Sequence, residues 1–153
     1  MTLKGLRSIR QLKLALNAKN SLFMKSKFFK ATLIFLLFVL IDQISKYLIR
    51  SRGGFYICNI NISWGIPVPS YFFWIFTGLF FFFLFFCLKR EYLNQNILYL
   101  TPLFAGALGN IIDRILSGCV IDFIDLKFWP MFNFADVFIV LGVMILLVRT
   151  FRI

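Results

Sequence analysis

Residues 28–49 read FFKATLIFLLFVLIDQISKYLI, and this stretch decides the class of fold. Its centre, residues 33–41, is an unbroken apolar run that ends abruptly in Asp42. Twenty-two residues of helix rise about 33 Å, enough to cross a hydrocarbon core of about 30 Å. Three more apolar stretches follow, at 71–88, 93–112 and 134–148, the last being the shortest. The second carries no charge, and the third holds Pro102 and the small residues Ala105, Gly106, Ala107 and Gly109. Small residues let helix backbones approach closely in lipid, where no hydrophobic force drives association. The pattern predicts a mainly α membrane protein with four transmembrane helices.

Composition agrees. Of 153 residues, 61% are hydrophobic and 15% charged, and 22 are Phe. A water-soluble domain is roughly half apolar and a quarter charged, so lipid is the expected solvent. Disordered, collagen-like and small disulfide-scaffold classes are excluded. The chain contains no His, which rules out His-based nucleophilic catalysis and His-ligated metals within it. Cys58, Cys87 and Cys119 lie far apart without a CxxC pair, so neither a zinc site nor a redox motif is expected.

The net charge of +11 would suit nucleic acid, but its placement favours membrane orientation instead. Eight of the 17 Lys and Arg fall in the first 30 residues, with no acid among them. With the N-terminus inside, Lys89, Arg90, Arg149 and Arg152 join that side, and only Arg50, Arg52, Arg114 and Lys127 fall outside. Both termini are therefore expected in the cytoplasm. No nucleic-acid partner is expected. The first span is too long for a signal peptide and lacks a small-residue cleavage site. Met24 opens MKSKFFK, itself an ordinary basic start, and residues 1–23 read either as an extension before that start or as a weakly amphipathic surface segment.

Two outer loops carry pattern. From Tyr56 to Ile66 the even positions are Tyr56, Cys58, Ile60, Ile62, Trp64 and Ile66, with Asn59, Asn61 and Ser63 between them. That alternation predicts a half-buried strand, and residues 118–130 are expected to be partly extended.

The six acids locate the chemistry. Glu91 sits beside Lys89 and Arg90 as solvated charge. Asp42 and Lys46 stand four apart on one helix face and can neutralise each other. Asp113, Asp122, Asp125 and Asp136 fall within 24 residues on the outer side. Ionisable groups at membrane depth are costly and default to functional candidates. Without His, two carboxylates sharing a proton remain the natural catalytic device: one activates water, the other protonates the substrate. A metal clamp by the same Asp residues, an ion-coupled relay and a scaffold role are the competing readings. A relay would spread its acids through the membrane; these gather on one side. The residues alone do not single out which pair among the four Asp works. Asn133 with Asp136 three residues later also reads as a helix N-cap with an acid in the first turn.

Asp42-Gln-Ile-Ser-Lys46, Gly109-Asn110-Ile-Ile-Asp113-Arg114, Val120-Ile-Asp122-Phe123 and Phe132-Asn133-Phe-Ala135-Asp136 closely resemble the motifs of bacterial lipoprotein signal peptidase (signal peptidase II), in that family's order and spacing. The resemblance covers about residues 24–151. It implies a membrane aspartic endopeptidase that cuts prolipoprotein signal peptides before the diacylglyceryl-modified Cys, without a cofactor or metal. The chain is expected to divide into a basic cytoplasmic extension at 1–27, a departure from the family, and a four-helix peptidase domain at 28–153, working as a monomer. The site would face the extracytoplasmic side of the bacterial inner membrane, beside a small β-containing loop region. The catalytic pair maps to Asp122 and Asp136. Asp113, Arg114, Asn110 and Asn133 would support the pair and the substrate backbone, and Asp42 and Lys46 would brace the site. Asn59-Ile-Asn61-Ile-Ser-Trp64 matches the family's outer-loop motif, except that Asn61 stands where Gly is usual.

Overall fold

In the computed structural model, residues 3–60, 75, 78, 79, 82 and 91–151 are described. The chain is mainly helical. Helix α1 runs Leu3–Ser51. It has no Gly or Pro between residues 6 and 52, so nothing interrupts it at the expected 27/28 boundary. At about 1.5 Å per residue it is about 74 Å long, well beyond one hydrocarbon core. It stops where Gly53 takes a left-handed φ of 69°. Gly54 N–H then donates to Ile49 O at 2.9 Å, the six-to-one bond of a Schellman-type C-cap.

The third and fourth apolar stretches are also helices: α2 at Glu91–Ser117 and α3 at Phe134–Thr150. α2 continues past the expected end at 112, so Asp113 and Arg114 are helical residues. The second expected span falls almost wholly outside the described residues, as do Asn61 and Trp64. Among the described residues, α1 is the one helix long and apolar enough to cross a membrane, with mean hydropathy 1.9 over its best window. Leu33, Leu36, Leu37, Leu40 and Ile44 on α1, and Val140, Met144 and Val148 on α3, are all at least half exposed. An apolar surface of that extent is at home in hydrocarbon rather than water.

Between the helices lies a two-stranded antiparallel sheet. Strand β1, Ile57–Asn59, pairs with β2, Val120–Asp122, in the register Ile57↔Asp122, Cys58↔Ile121, Asn59↔Val120. The expected strand is thus present at its start, and the 118–130 region is partly extended as anticipated. Cys58 and Cys119 form a disulfide with Cα atoms 5.4 Å apart, a pairing the sequence reading did not anticipate. Further on, Ile124 and Phe132 pair as an isolated bridge. The intervening loop presents Leu126, Phe128 and Trp129 to the outside.

The small residues explain the helix contacts. A Cβ on Gly106 of α2 would collide with the Ala135 carbonyl of α3 and come within 2.9 Å of Ile139. Reciprocally, a Cβ on Gly142 would lie 2.6 Å from Leu103 N. Phe38 of α1 stacks on Phe138 of α3 with ring centroids 4.3 Å apart, and Phe134 and Phe123 continue that aromatic line. Gly106→Ala should force α2 and α3 apart and destabilise the fold by about 1–3 kcal/mol. Leu116→Ala, at an exposed position, should stay within about 0.5 kcal/mol. Thermal unfolding in detergent reads both.

Candidate active site

Where α1, α2 and α3 meet near the β1–β2 sheet, the core is polar. Asp42, Lys46, Asn110, Asp113, Asp122 and Asn133 are all buried. Little of their surface meets solvent, so their partners must be found largely within the protein. Every buried side-chain nitrogen and oxygen among the described residues does.

Lys46 starts the network. Its Nζ lies 2.7 Å from Asp42 Oδ2 and 2.8 Å from Asp113 Oδ2, joining α1 to α2. Asp42 Oδ1 accepts from the Ala135 backbone N–H at 2.8 Å. That N–H is one of the donors a helix start leaves without an intrahelical acceptor, so α1 caps α3. Gly109 makes this approach possible: a Cβ there would stand 2.5 Å from Asp42 Oδ2. Gln43 Nε2 adds bonds to Asp42, to Gly109 O and to Asp113 at 3.1–3.2 Å. Asp113 Oδ2 also accepts from Ile121 N–H in β2. Sequence reasoning missed Gln43, although a Gln next to an Asp inside an apolar run was a usable signal.

Asp122 and Asp136 sit on the far side of this brace. Asp122 ends β2; its Oδ2 accepts from Asn59 Nδ2 at 2.9 Å and its Oδ1 from Asn133 Nδ2 at 2.6 Å. Asp136 lies in the first turn of α3 and forms a capping box with Asn133: Asp136 N–H donates to Asn133 Oδ1 at 3.0 Å, and Asn133 N–H to Asp136 Oδ2 at 3.2 Å. Asn110 Nδ2 donates to Asp136 Oδ1 at 2.9 Å. One residue, Asn133, therefore touches both carboxylates, and Asp136 acts electrostatically on Asp122. Arg114 interacts electrostatically with Asp122, Asp136 and Asp113. All nine expected site residues are thus gathered together.

Asp125 is not. It folds back on its own loop, accepting from Lys127 N–H at 2.8 Å and Lys127 Nζ at 2.7 Å, which holds Lys127 at a φ of 68°. That hydrogen bonding keeps its carboxyl below the usual range. Asp122 behaves oppositely. Burial first, and Asp136 as well, raise it to about 6 against the opposing bonds from Asn59 and Asn133. A proton on one carboxylate and a second carboxylate sharing its neighbour are the elements of acid–base work on water.

Helices exposing apolar surface around a buried polar centre suit a membrane protein, and comparison with known proteins gives its class. The chain superposes on two solved structures, each titled as a bacterial membrane enzyme structure obtained by the in meso method, at 2.3 Å and 1.9 Å resolution. The first gives a TM-score of 0.70 at 30% identity over 80% of this chain and 88% of that one. The second gives 0.68 at 31% over 79% and 92%. The family model described as Signal peptidase (SPase) II matches residues 34–152. The lipoprotein signal peptidase of Moorella thermoacetica is 37% identical over 74% of this chain and 87% of its own length. That of Thermodesulfovibrio yellowstonii is 34% identical over 84% and 99%. The chain belongs to the signal peptidase II family of lipoprotein signal peptidases, and is a peptidase.

Two outcomes follow from the site's electrostatics. Lys46→Met would strand two buried carboxylates and should cost about 3–5 kcal/mol, read by denaturation in detergent. For Asp122, the raised folded value means the fold holds this proton more tightly than the unfolded chain does. Its stabilising contribution is full below about pH 4 and lost as pH rises through about 6. Asp122→Asn should therefore unfold at a higher temperature than wild type at pH 8, with the difference vanishing toward pH 4.

Proposed function

We propose that this protein is an aspartic endopeptidase that removes signal peptides from bacterial prolipoproteins, cutting before the diacylglyceryl-modified Cys, with Asp122 and Asp136 as the catalytic pair. The observation that carries this reading is Asn133, whose side chain holds Asp122 while its backbone holds Asp136. Asp122, with its raised proton affinity, is the general acid toward the scissile carbonyl and then the leaving amine. Asp136, at the positive end of α3, is the base that takes a proton from the attacking water. Asn110, Arg114 and Asn133 surround the pair and the substrate backbone. Asp113, Asp42 and Lys46 brace them, and Asn59 holds the outer oxygen of Asp122. No cofactor takes part in this scheme.

The proposed setting is the bacterial cytoplasmic membrane, crossed four times with both termini inside and the site on the outer side. The distribution of Lys and Arg supports that orientation. So does the Cys58–Cys119 disulfide beside the site, because such bonds persist in oxidising compartments and not in the bacterial cytosol. Residues 1–27 form the basic cytoplasmic extension, and 28–153 the peptidase domain. The enzyme acts as a monomer on lipid-embedded substrate. A substrate helix enters between the transmembrane helices with its acyl chains left in the bilayer.

The test is a gel-shift cleavage assay on a diacylglyceryl-modified prolipoprotein in liposomes. Wild type should release the signal peptide. Asp122→Asn and Asp136→Asn should each lose about a hundredfold to ten-thousandfold in turnover while remaining folded. Asp125→Asn should cut normally. Normal cutting by either variant of the pair would overturn the assignment, and a wild type that never cuts would leave the relay or scaffold reading in its place.

A further inference from the structure

The disulfide has no part in the scheme above, yet it joins the two strands that bring Asn59 to Asp122. Cys58 is next to Asn59 in β1, and Cys119 immediately precedes β2, which ends in Asp122. Strand β1 is only three residues long. Among the described residues around it, Phe55 and Ile60 are each 73% exposed, and Tyr56 and Ile57 are exposed as well. Three-residue ladders with so little buried surface open easily on their own. By contrast β2 is buried throughout, and Asp113 accepts from its Ile121 N–H. One strand is therefore fixed by the core, and the other is fixed to it by a covalent bond.

We propose that the Cys58–Cys119 disulfide is a positioning device for the reaction: it holds the Asn59 amide on Asp122, and opening it switches the peptidase to a low-turnover state. This rests on Asp122 being a reacting carboxylate. Cys58 and Cys119 touch no substrate in this account; they act through Asn59. Opening the bond is a two-electron reduction. An external dithiol is oxidised to its disulfide, and Cys58 and Cys119 each gain a proton and an electron to become thiols. The reverse exchange, in which an external disulfide is reduced to its dithiol while Cys58 and Cys119 are oxidised, restores the clamp, so the switch is reversible.

When Asn59 leaves, Asp122 Oδ2 loses a donor that favours its charged form, and the carboxyl holds its proton to higher pH. A purely structural cross-link would move the unfolding temperature but not that proton. The experiment uses full-length protein in liposomes with the diacylglyceryl-modified prolipoprotein. It compares oxidised wild type, wild type treated with dithiothreitol, Cys58→Ser/Cys119→Ser, Asn59→Ala, and the triple variant. Each is assayed for kcat and KM across pH, and the protonated carboxyl of Asp122 is followed by infrared titration against Asp122→Asn.

Reduced wild type and the Cys58→Ser/Cys119→Ser variant should both lose about tenfold in kcat, the kinetic size of one missing hydrogen bond, with KM within about twofold. Both should titrate Asp122 at higher pH. Asn59→Ala should reproduce these changes, and the triple variant should be no worse than Asn59→Ala alone, since residues acting through one contact are not additive. Reoxidation of the reduced enzyme should restore kcat, which separates the switch from misfolding. Unchanged kcat and titration on reduction would overturn the proposal, as would losses that simply add in the triple variant. Failure of the Asp122 reading looks different: Asp122→Asn would then cut like wild type whatever the state of the disulfide.

Discussion

Lys46 places one ammonium between the carboxylates of Asp42 and Asp113, and the arrangement of the three described helices depends on that contact. In hydrocarbon, apolar side chains gain nothing by leaving lipid for one another. Helices then associate through close backbone approach and through polar groups that have no other partner. Both devices meet at one level here. Gly109 lets α2 reach Asp42 on α1, and Asp42 in turn caps the first turn of α3 through Ala135 N–H. Removing any partner would leave a charge in a dry interior, which costs far more than the intact pair contributes. The ion cluster is thus a specificity device: it admits one register of α1, α2 and α3.

That register has an electrostatic consequence. The site gathers four carboxylates, Asp42, Asp113, Asp122 and Asp136, against two cations, Lys46 and Arg114. Lys46 is engaged by Asp42 and Asp113. Arg114 interacts electrostatically with both members of the other pair, and Lys46 acts on Asp122 while bonded elsewhere. Retention of a proton by Asp122 follows from burial first, and the charge of Asp136 adds to it. The brace and the chemistry are therefore one system, since the cation that fixes the helices also acts electrostatically on Asp122.

Much of this was legible in the sequence, for identifiable reasons. An apolar run ending in Asp42 and Lys46 reads as a membrane-length helix with charge near one end, and the structure has a helix long and apolar enough to cross a membrane there. Charge at membrane depth singled out Asp42, Lys46, Asp113, Asp122, Asp125 and Asp136, and all of these but Asp125 lie in one network; Asn59, Asn110, Arg114 and Asn133 were legible through the family's motifs. What sequence could not supply was distance across the chain. Cys58 and Cys119 are 61 residues apart, and only the β1–β2 register makes them neighbours. Asp125 carried the same charge as its neighbours in sequence, but its nearest cation, Lys127, was two residues away and took it out of the site. Gln43 was overshadowed by Asp42, because an amide advertises itself less than a charge. Helix ends shifted too: α2 runs on through Asp113 and Arg114, since nothing before Gly118 breaks it.

The amides show how far one ammonium can reach. Lys46 can only donate, so the Asn110 oxygen must face it, 3.2 Å away. The Asn110 nitrogen must then point the other way, and there it donates to Asp136. The same Asn110 oxygen also accepts from Asn133 Nδ2, which fixes the second amide as well. With its nitrogen turned to Asn110 and Asp122, Asn133 has its oxygen left to cap Asp136 N–H. Aspartate or serine would cap α3 as well as asparagine does. Neither could also donate two N–H bonds, one to each of these neighbours. Asparagine at position 133 is thus selected by the site rather than by the helix, and Lys46, bonded to Asp42 and Asp113, dictates which way the Asn110 and Asn133 donors point.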